Sequence, residues 1–180
     1  MVFNIVIAVI GALCLIGFVL IQESGQKHKK NLNNVLKPFG VDHKSEVNGT
    51  LIAVSESDEV FYHVASDMEL TKIPFSKIIS SELKVDDQTV QGVSLKGAAA
   101  GAIIAGGIGA VIGAKSKQKK KVKSIVVDIT VNNLMNPNIK LWFYNGHEPE
   151  LNMSMKSSEK WQSIFKVIIE RNKVDTKDLV

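Results

Sequence analysis

Gly97-Ala98-Ala99-Ala100-Gly101-Ala102-Ile103-Ile104-Ala105-Gly106-Gly107-Ile108-Gly109-Ala110-Val111-Ile112-Gly113-Ala114 is apolar enough to meet a membrane, yet it lies between segments patterned as strands. Small residues recur every fourth position at Gly97, Gly101, Ala105, Gly109 and Gly113, which on a helix gives one smooth packing stripe. Glycine costs up to about 1 kcal/mol per residue in a helix, so a solitary helix of this composition needs something packed against it. As a single span the segment would reach about 27 Å, near the lower limit for a bilayer. One crossing, however, would leave the strands before and after it on opposite faces of the membrane. If both borders belong to one β body, an odd number of crossings is excluded. The spacing then predicts a glycine-rich helical hairpin of two short helices, each about 13 Å long, turning at Gly106 and Gly107. Lys115, Lys117, Lys119, Lys120, Lys121 and Lys123 follow at its exit, placed to meet lipid headgroups if the hairpin dips into one leaflet.

Outward from this insert the chain alternates strand-like runs with turn residues. Residues 51–54, 59–65 and 69–75 are short and rich in Val, Ile, Phe and Tyr, and Ser55-Glu56-Ser57-Asp58 and Ser66-Asp67 separate them as turns. Within 78–85, Ile79, Leu83 and Val85 alternate with Ser80, Glu82 and Lys84, and Asp86-Asp87-Gln88 turns the chain into 89–95. After the insert, 124–132 alternates Ile125, Val127, Ile129 and Val131 with Val126, Asp128 and Thr130, and 139–144 follows a run of asparagines. Seven strands result, with the insert between the fifth and sixth. The period then changes: Trp161, Ile164, Phe165, Ile168 and Ile169 fall on one helical stripe, with Ser157 or Ser158 as N-cap. Trp161 and Phe165 are expected to act as a structural cap that plugs the open end of the sheet.

The order of Phe61-Tyr62-His63-Val64, the run Ile73-Pro74-Phe75-Ser76-Lys77-Ile78-Ile79-Ser80-Ser81-Glu82-Leu83, the Gly/Ala insert ending in lysines, a strand pair and a helix bearing Trp161 resembles the bacterial pleckstrin-homology-like (PH-like) domains of small membrane-associated and prophage-encoded proteins. The resemblance covers residues 48–172 and implies a partly open seven-stranded barrel capped by the C-terminal helix. The fold class is therefore mainly β with helical additions (α+β). Two departures matter. Relatives that bind phosphoinositides present basic residues in the first hairpin, whereas Ser55-Glu56-Ser57-Asp58-Glu59 would repel phosphate. The extra helical module at the C-terminus of many bacterial members has no counterpart in the polar tail at 173–180.

At the N-terminus residues 1–22 carry no charged side chain, long enough at 1.5 Å per residue to cross the hydrocarbon core. A cleaved signal peptide would need a positive flank and small residues before the cut, and Leu13 before Cys14 does not fit a lipoprotein site. Lys27, Lys29 and Lys30 follow at once in a basic linker over 23–47 with a short helix at 31–36. Lysines are retained on the cytoplasmic side, which predicts a single-pass protein of the bacterial plasma membrane, N-terminus out and β domain in the cytoplasm. In a chain of 180 residues with a net charge of +4, the two lysine clusters and Lys37 hold ten of the 22 basic residues. The remainder is acidic, so the basic character is local and adjacent to the apolar segments. Six lysines in nine residues also fit nucleic acid, but no aromatic residues are interleaved for base stacking.

A catalytic constellation is absent from the pattern. His28, His43, His63 and His147 share no metal-ligand spacing, and the one cysteine excludes a Cys-based zinc site. In Gly113-Ala114-Lys115-Ser116 an alanine stands where a phosphate loop needs the lysine directly after glycine. Asp86-Asp87 reads as a solvated turn. The expectation is a non-catalytic binding or assembly platform without cofactor or metal. Its partners would be membrane lipids and either a protein or a second copy joined through the glycine zipper. The rival reading is a membrane-perturbing or pore-type effector, a toxin or phage-defence component, acting through the same stripe. An enzyme would require a pocket joining, for instance, His63 and Asp128.

Overall fold

The computed structural model describes residues 26–95, 121–146 and 150–177. Residues 26–36 form helix α1. Eight strands follow: β1 (His43–Val47), β2 (Thr50–Ser55), β3 (Val60–Val64), β4 (Leu70–Pro74), β5 (Ile78–Val85), β6 (Gln88–Ser94), β7 (Ile125–Val131) and β8 (Asn138–Tyr144). Helix α2 (Leu151–Lys177) closes the described chain, and a 3-10 turn at Phe75–Lys77 links β4 to β5. The strands make two antiparallel sheets, β1-β2-β3-β4 and β6-β5-β7-β8. The protein is thus mainly β with two described helices.

The first sheet is covered on both faces, which is why β2 reads as a continuous apolar run rather than an alternating one. Ile52 and Val54 enter the main core, while Leu51 and Ala53 face Leu32 and Leu36 of α1 on the opposite side. Tyr62 and Val64 of β3 complete that second cluster, and Phe39 stacks on Tyr62 with centroids 4.9 Å apart. Lys72 lies 4.1 Å above the Phe39 ring, a cation–π contact that covers the loop after α1.

The second sheet presents Leu83, Val85, Ile125, Val127 and Ile129 to the same main core, with α2 laid across it. Trp161 and Phe165 are buried between the sheets, where Phe61 meets their rings edge-on at centroid distances of 6.4 and 5.2 Å. The buried Ser81 hydroxyl donates to Gln162 Oε1 at 2.7 Å, and Gln162 Nε2 donates back to the Ser81 carbonyl at 3.2 Å. That satisfied pair fixes the register of α2 on β5. Farther along the helix, Asn172 Nδ2 donates to the Phe75 carbonyl at 2.7 Å.

Several expectations change. The described residues hold eight strands where seven were expected, because β1 lies in the stretch read as a linker. Its sequence, His-Lys-Ser-Glu-Val, has no apolar alternation, as suits a charged edge strand. The glycine-rich insert therefore falls between the sixth and seventh strands. Within β5 the register shifts between Ile78 and Ser80, so Ile78 and Ser81 point inward in place of Ile79. Helix α2 begins six residues ahead of the expected N-cap, and the Ser158 hydroxyl instead donates to the Met155 carbonyl at 2.8 Å within the helix. Its backbone continues through Lys177, into the segment read as a polar tail. The expected span at 1–22, the zipper positions Gly97, Gly101, Ala105, Gly109 and Gly113, the turn at Gly106 and Gly107, and Lys115, Lys117, Lys119 and Lys120 lie outside the described residues. Among the described residues no helix is long and apolar enough to cross a membrane.

Candidate functional site

Two described features flank the apolar segments in the sequence: helix α1 after the first, and the strand ends that border the insert. α1 is separated from the charge-free stretch by three residues, and it is held by its apolar side, where Leu32 and Leu36 are only 1% and 2% exposed. Burying two leucines contributes roughly 3–6 kcal/mol, enough to hold a short helix that propensity alone would not. Polar contacts orient it further. Lys29 Nζ pairs with Glu46 Oε2 at 2.7 Å, Lys44 Nζ donates to Asn33 Oδ1 at 3.0 Å, and His28 Nε2 lies 3.5 Å from the Gly49 carbonyl. Lys27, Lys29 and Lys30 are exposed, Lys29 with its ammonium on Glu46.

Both borders of the insert hang on β5. On the way out, the Leu95 N–H donates to the Ile79 carbonyl at 2.9 Å. On return, the N–H groups of Lys123 and Ser124 both donate to Asp86 Oδ1 at 2.8 Å, and the Asp86 N–H donates to the Ser124 carbonyl at 3.2 Å. Asp86 and Asp87 have φ of 49° and 66°, the left-handed pair of a tight hairpin turn. That carboxylate is a structural pin and more than a solvated turn residue. Because β6 and β7 flank β5 and both run antiparallel to it, the two borders stand at opposite ends of that strand, about 23 Å apart at 3.3 Å per residue. Lys121 and Lys123 are exposed beside the return border.

The residues weighed for chemistry are kept apart. His63 sits on β3 of the first sheet, where burial lowers its pKa. Asp128 sits on β7 of the second sheet, where its Oδ2 accepts from Lys84 Nζ at 2.9 Å. Glu82 stands 3.1 Å from the same ammonium. Burial acts to lower the Lys84 pKa, but the bonds to Asp128 and Glu82 outweigh it and the net shift is upward. Among the described residues no group of three or more His, Cys, Asp or Glu is placed to hold a metal. Sequence reasoning missed Asp86 as a pin and Leu32 and Leu36 as anchors. Leucines four apart on a short helix were the available signal for the anchors, whereas an Asp opening a two-residue turn signals only the turn.

Against known proteins, residues 41–145 match the family described as "Glycine zipper containing PH domain". The chain belongs to that family. This glycine-zipper PH protein is 36% identical over 157 residues to a protein named "Immunity protein" from Bacillus phage SPbeta, covering 76% of this chain and 78% of the relative. It is also 36% identical over 157 residues to "SPbeta prophage-derived uncharacterized membrane protein YomJ" from Bacillus subtilis (strain 168), covering 76% of this chain and 69% of that one. No solved structure matches it. The PH-like resemblance and the prophage association therefore stand. Family and names are compatible with a non-catalytic, membrane-associated role.

Proposed function

We propose that this glycine-zipper PH protein is a membrane-anchored, non-catalytic binding module of the immunity type. Residues 1–22 cross the bacterial plasma membrane once with the N-terminus outside, and the β body engages a protein factor, such as a toxin, from the cytoplasmic side. The observation that carries the reading is the clamp on α1. Eleven helical residues, separated from the charge-free stretch by three residues, are fastened to the first sheet, which supports a body held close to the surface that stretch would occupy. The common anchorage of both insert borders on β5 supports a shared compartment for them, with the zipper residues packing on themselves, on a second copy or on one leaflet. Lys27, Lys29, Lys30, Lys121 and Lys123, with the lysines at 115–120, supply a basic surface for anionic headgroups at about 1 kcal/mol each. The name "Immunity protein" of one SPbeta relative supports the immunity type of role, and the name "membrane protein" of the other supports the placement at a membrane.

Two measurements test it. Cysteines placed at Ser24 and Ser157 in a Cys14→Ser background should react with impermeant reagent only in inverted vesicles. Reaction at Ser157 in intact cells would overturn the topology. A prophage-free Bacillus host expressing the chain should survive spent medium of a prophage-carrying strain better than the vector control. Equal survival would remove the immunity reading.

A further inference from the structure

A groove of about 440 Å³ runs between α2 and the ends of β1 and β2, beside the 3-10 turn. Its floor is Val54, Phe75, Ile164 and Ile168, and Val167 forms an apolar lip that is 51% exposed. The rim carries the cations Lys160 and Arg171 against a single carboxylate, Glu56, with the His43 ring beside them. Arg171 reaches that carboxylate only at 4.0 Å, with both side chains more than half exposed, and Lys160 forms no ion pair with any described residue. From Leu151 to Val174, α2 carries Lys156, Lys160, Lys166, Arg171 and Lys173 against Glu159 and Glu170, so the helix bordering the groove is net positive.

We infer that this groove docks an acidic amphipathic helix of a partner protein. Its aliphatic side chains would enter the floor beside Val167, and its carboxylates would meet Lys160 and Arg171. The two cations stand eleven residues apart on one helix, about 16 Å, which matches the reach of a partner helix anchoring through positions i, i+4, i+7 and i+11. The small apolar floor suits a few anchoring side chains, and the exposed cations would steer an acidic partner and fix its orientation. Placement on the molecule favours a protein over a bilayer. α1 begins beside Gly49 in the β1–β2 turn, whereas the groove residues His43 and Val54 pair at the other end of those strands, about 15 Å away. This inference rests on the proposed binding role and names the surface and partner chemistry that role would use.

The test uses the full chain in nanodiscs of phosphatidylcholine and a labelled synthetic helix of about sixteen residues, with leucines at i, i+4, i+7 and i+11 and glutamates on its remaining face. The control peptide has lysine at every glutamate. Fluorescence anisotropy should show the acidic peptide binding at least about tenfold tighter than the basic one. Lys160→Glu combined with Arg171→Glu should reverse that order, and Val167→Asp should weaken the acidic peptide about tenfold. All three positions are exposed, and unchanged circular dichroism and thermal melting would show that each variant folds. Equal binding of the two peptides, or an order unmoved by the double reversal, would overturn the inference. So would vesicles of phosphatidylglycerol being bound through Lys160 and Arg171 while the acidic peptide is not. Peptide binding lost with survival retained removes the groove alone, whereas survival lost with peptide binding retained removes the immunity reading alone.

Discussion

His63, Trp161 and Asp86 show how much one side chain can settle. His63 is half-buried in β3, and burial holds its pKa below the ordinary value near 6.5. In the unfolded chain it takes up its proton near that value, so the folded state loses stability as pH falls from about 6.5 towards its depressed pKa. Urea unfolding at pH 7 and pH 5 should show that loss, and His63→Gln should flatten the slope. An unchanged slope in the variant would assign it to other groups. Trp161 is 1% exposed, and its Nε1 has no described hydrogen-bond partner. Trp161→Ala should therefore cost about 3–5 kcal/mol from the cavity, while Trp161→Phe, which also removes an unpaired buried donor, should cost clearly less. Equal costs by urea unfolding would mean that the indole N–H is satisfied after all. Asp86 was legible only as a turn residue, because nothing in its local sequence reports that the chain returns to it from residue 123.

Among the elements, α1 and the β6–β7 connection carry the most testable content. Leu32→Ala or Leu36→Ala should destabilise by about 2–5 kcal/mol and open residues 26–39 to protease before the sheets unfold. Proteolysis there no faster than in the unmodified chain would deny the clamp its role. The separation of the insert borders sets a minimum length for any replacement of residues 96–120. An extended residue covers at most about 3.4 Å, so a linker under about seven residues cannot join β6 to β7 without breaking the ladder on β5. A flexible linker of about fifteen residues should leave the unfolding transition intact, and one of about four should abolish it, both read by circular dichroism. A folded four-residue version would show that the borders are not at opposite ends of β5. The strands rich in Val, Ile, Phe and Tyr were legible, as was the stripe on α2 from Trp161 to Ile169. β1 was not, since an edge strand whose His43, Lys44 and Glu46 face water carries no apolar period. The start of α2 was also hidden, because Asn152, Met153 and Ser154 lie ahead of its apolar stripe and show no period of their own.

For the whole molecule, the covered inner and outer faces of the first sheet and the polar links at Ser81–Gln162 and Asn172–Phe75 predict one cooperative unfolding transition for the β body with α1 and α2. Tryptophan fluorescence and far-ultraviolet circular dichroism should coincide, and separated transitions would place α1 outside the cooperative unit. The β-rich class, the C-terminal helix with Trp161 and Phe165 and the basic flanks of the apolar segments were all readable along the chain, because hydrophobic period and charge are properties of neighbouring residues. Packing between distant segments was needed to show that α1 is fastened through Leu32 and Leu36, that the borders of the insert stand at opposite ends of β5, and that α2 and the ends of β1 and β2 enclose a groove. Those facts depend on contacts between residues from about 20 to more than 100 positions apart, and chain-local patterns carry no record of such contacts.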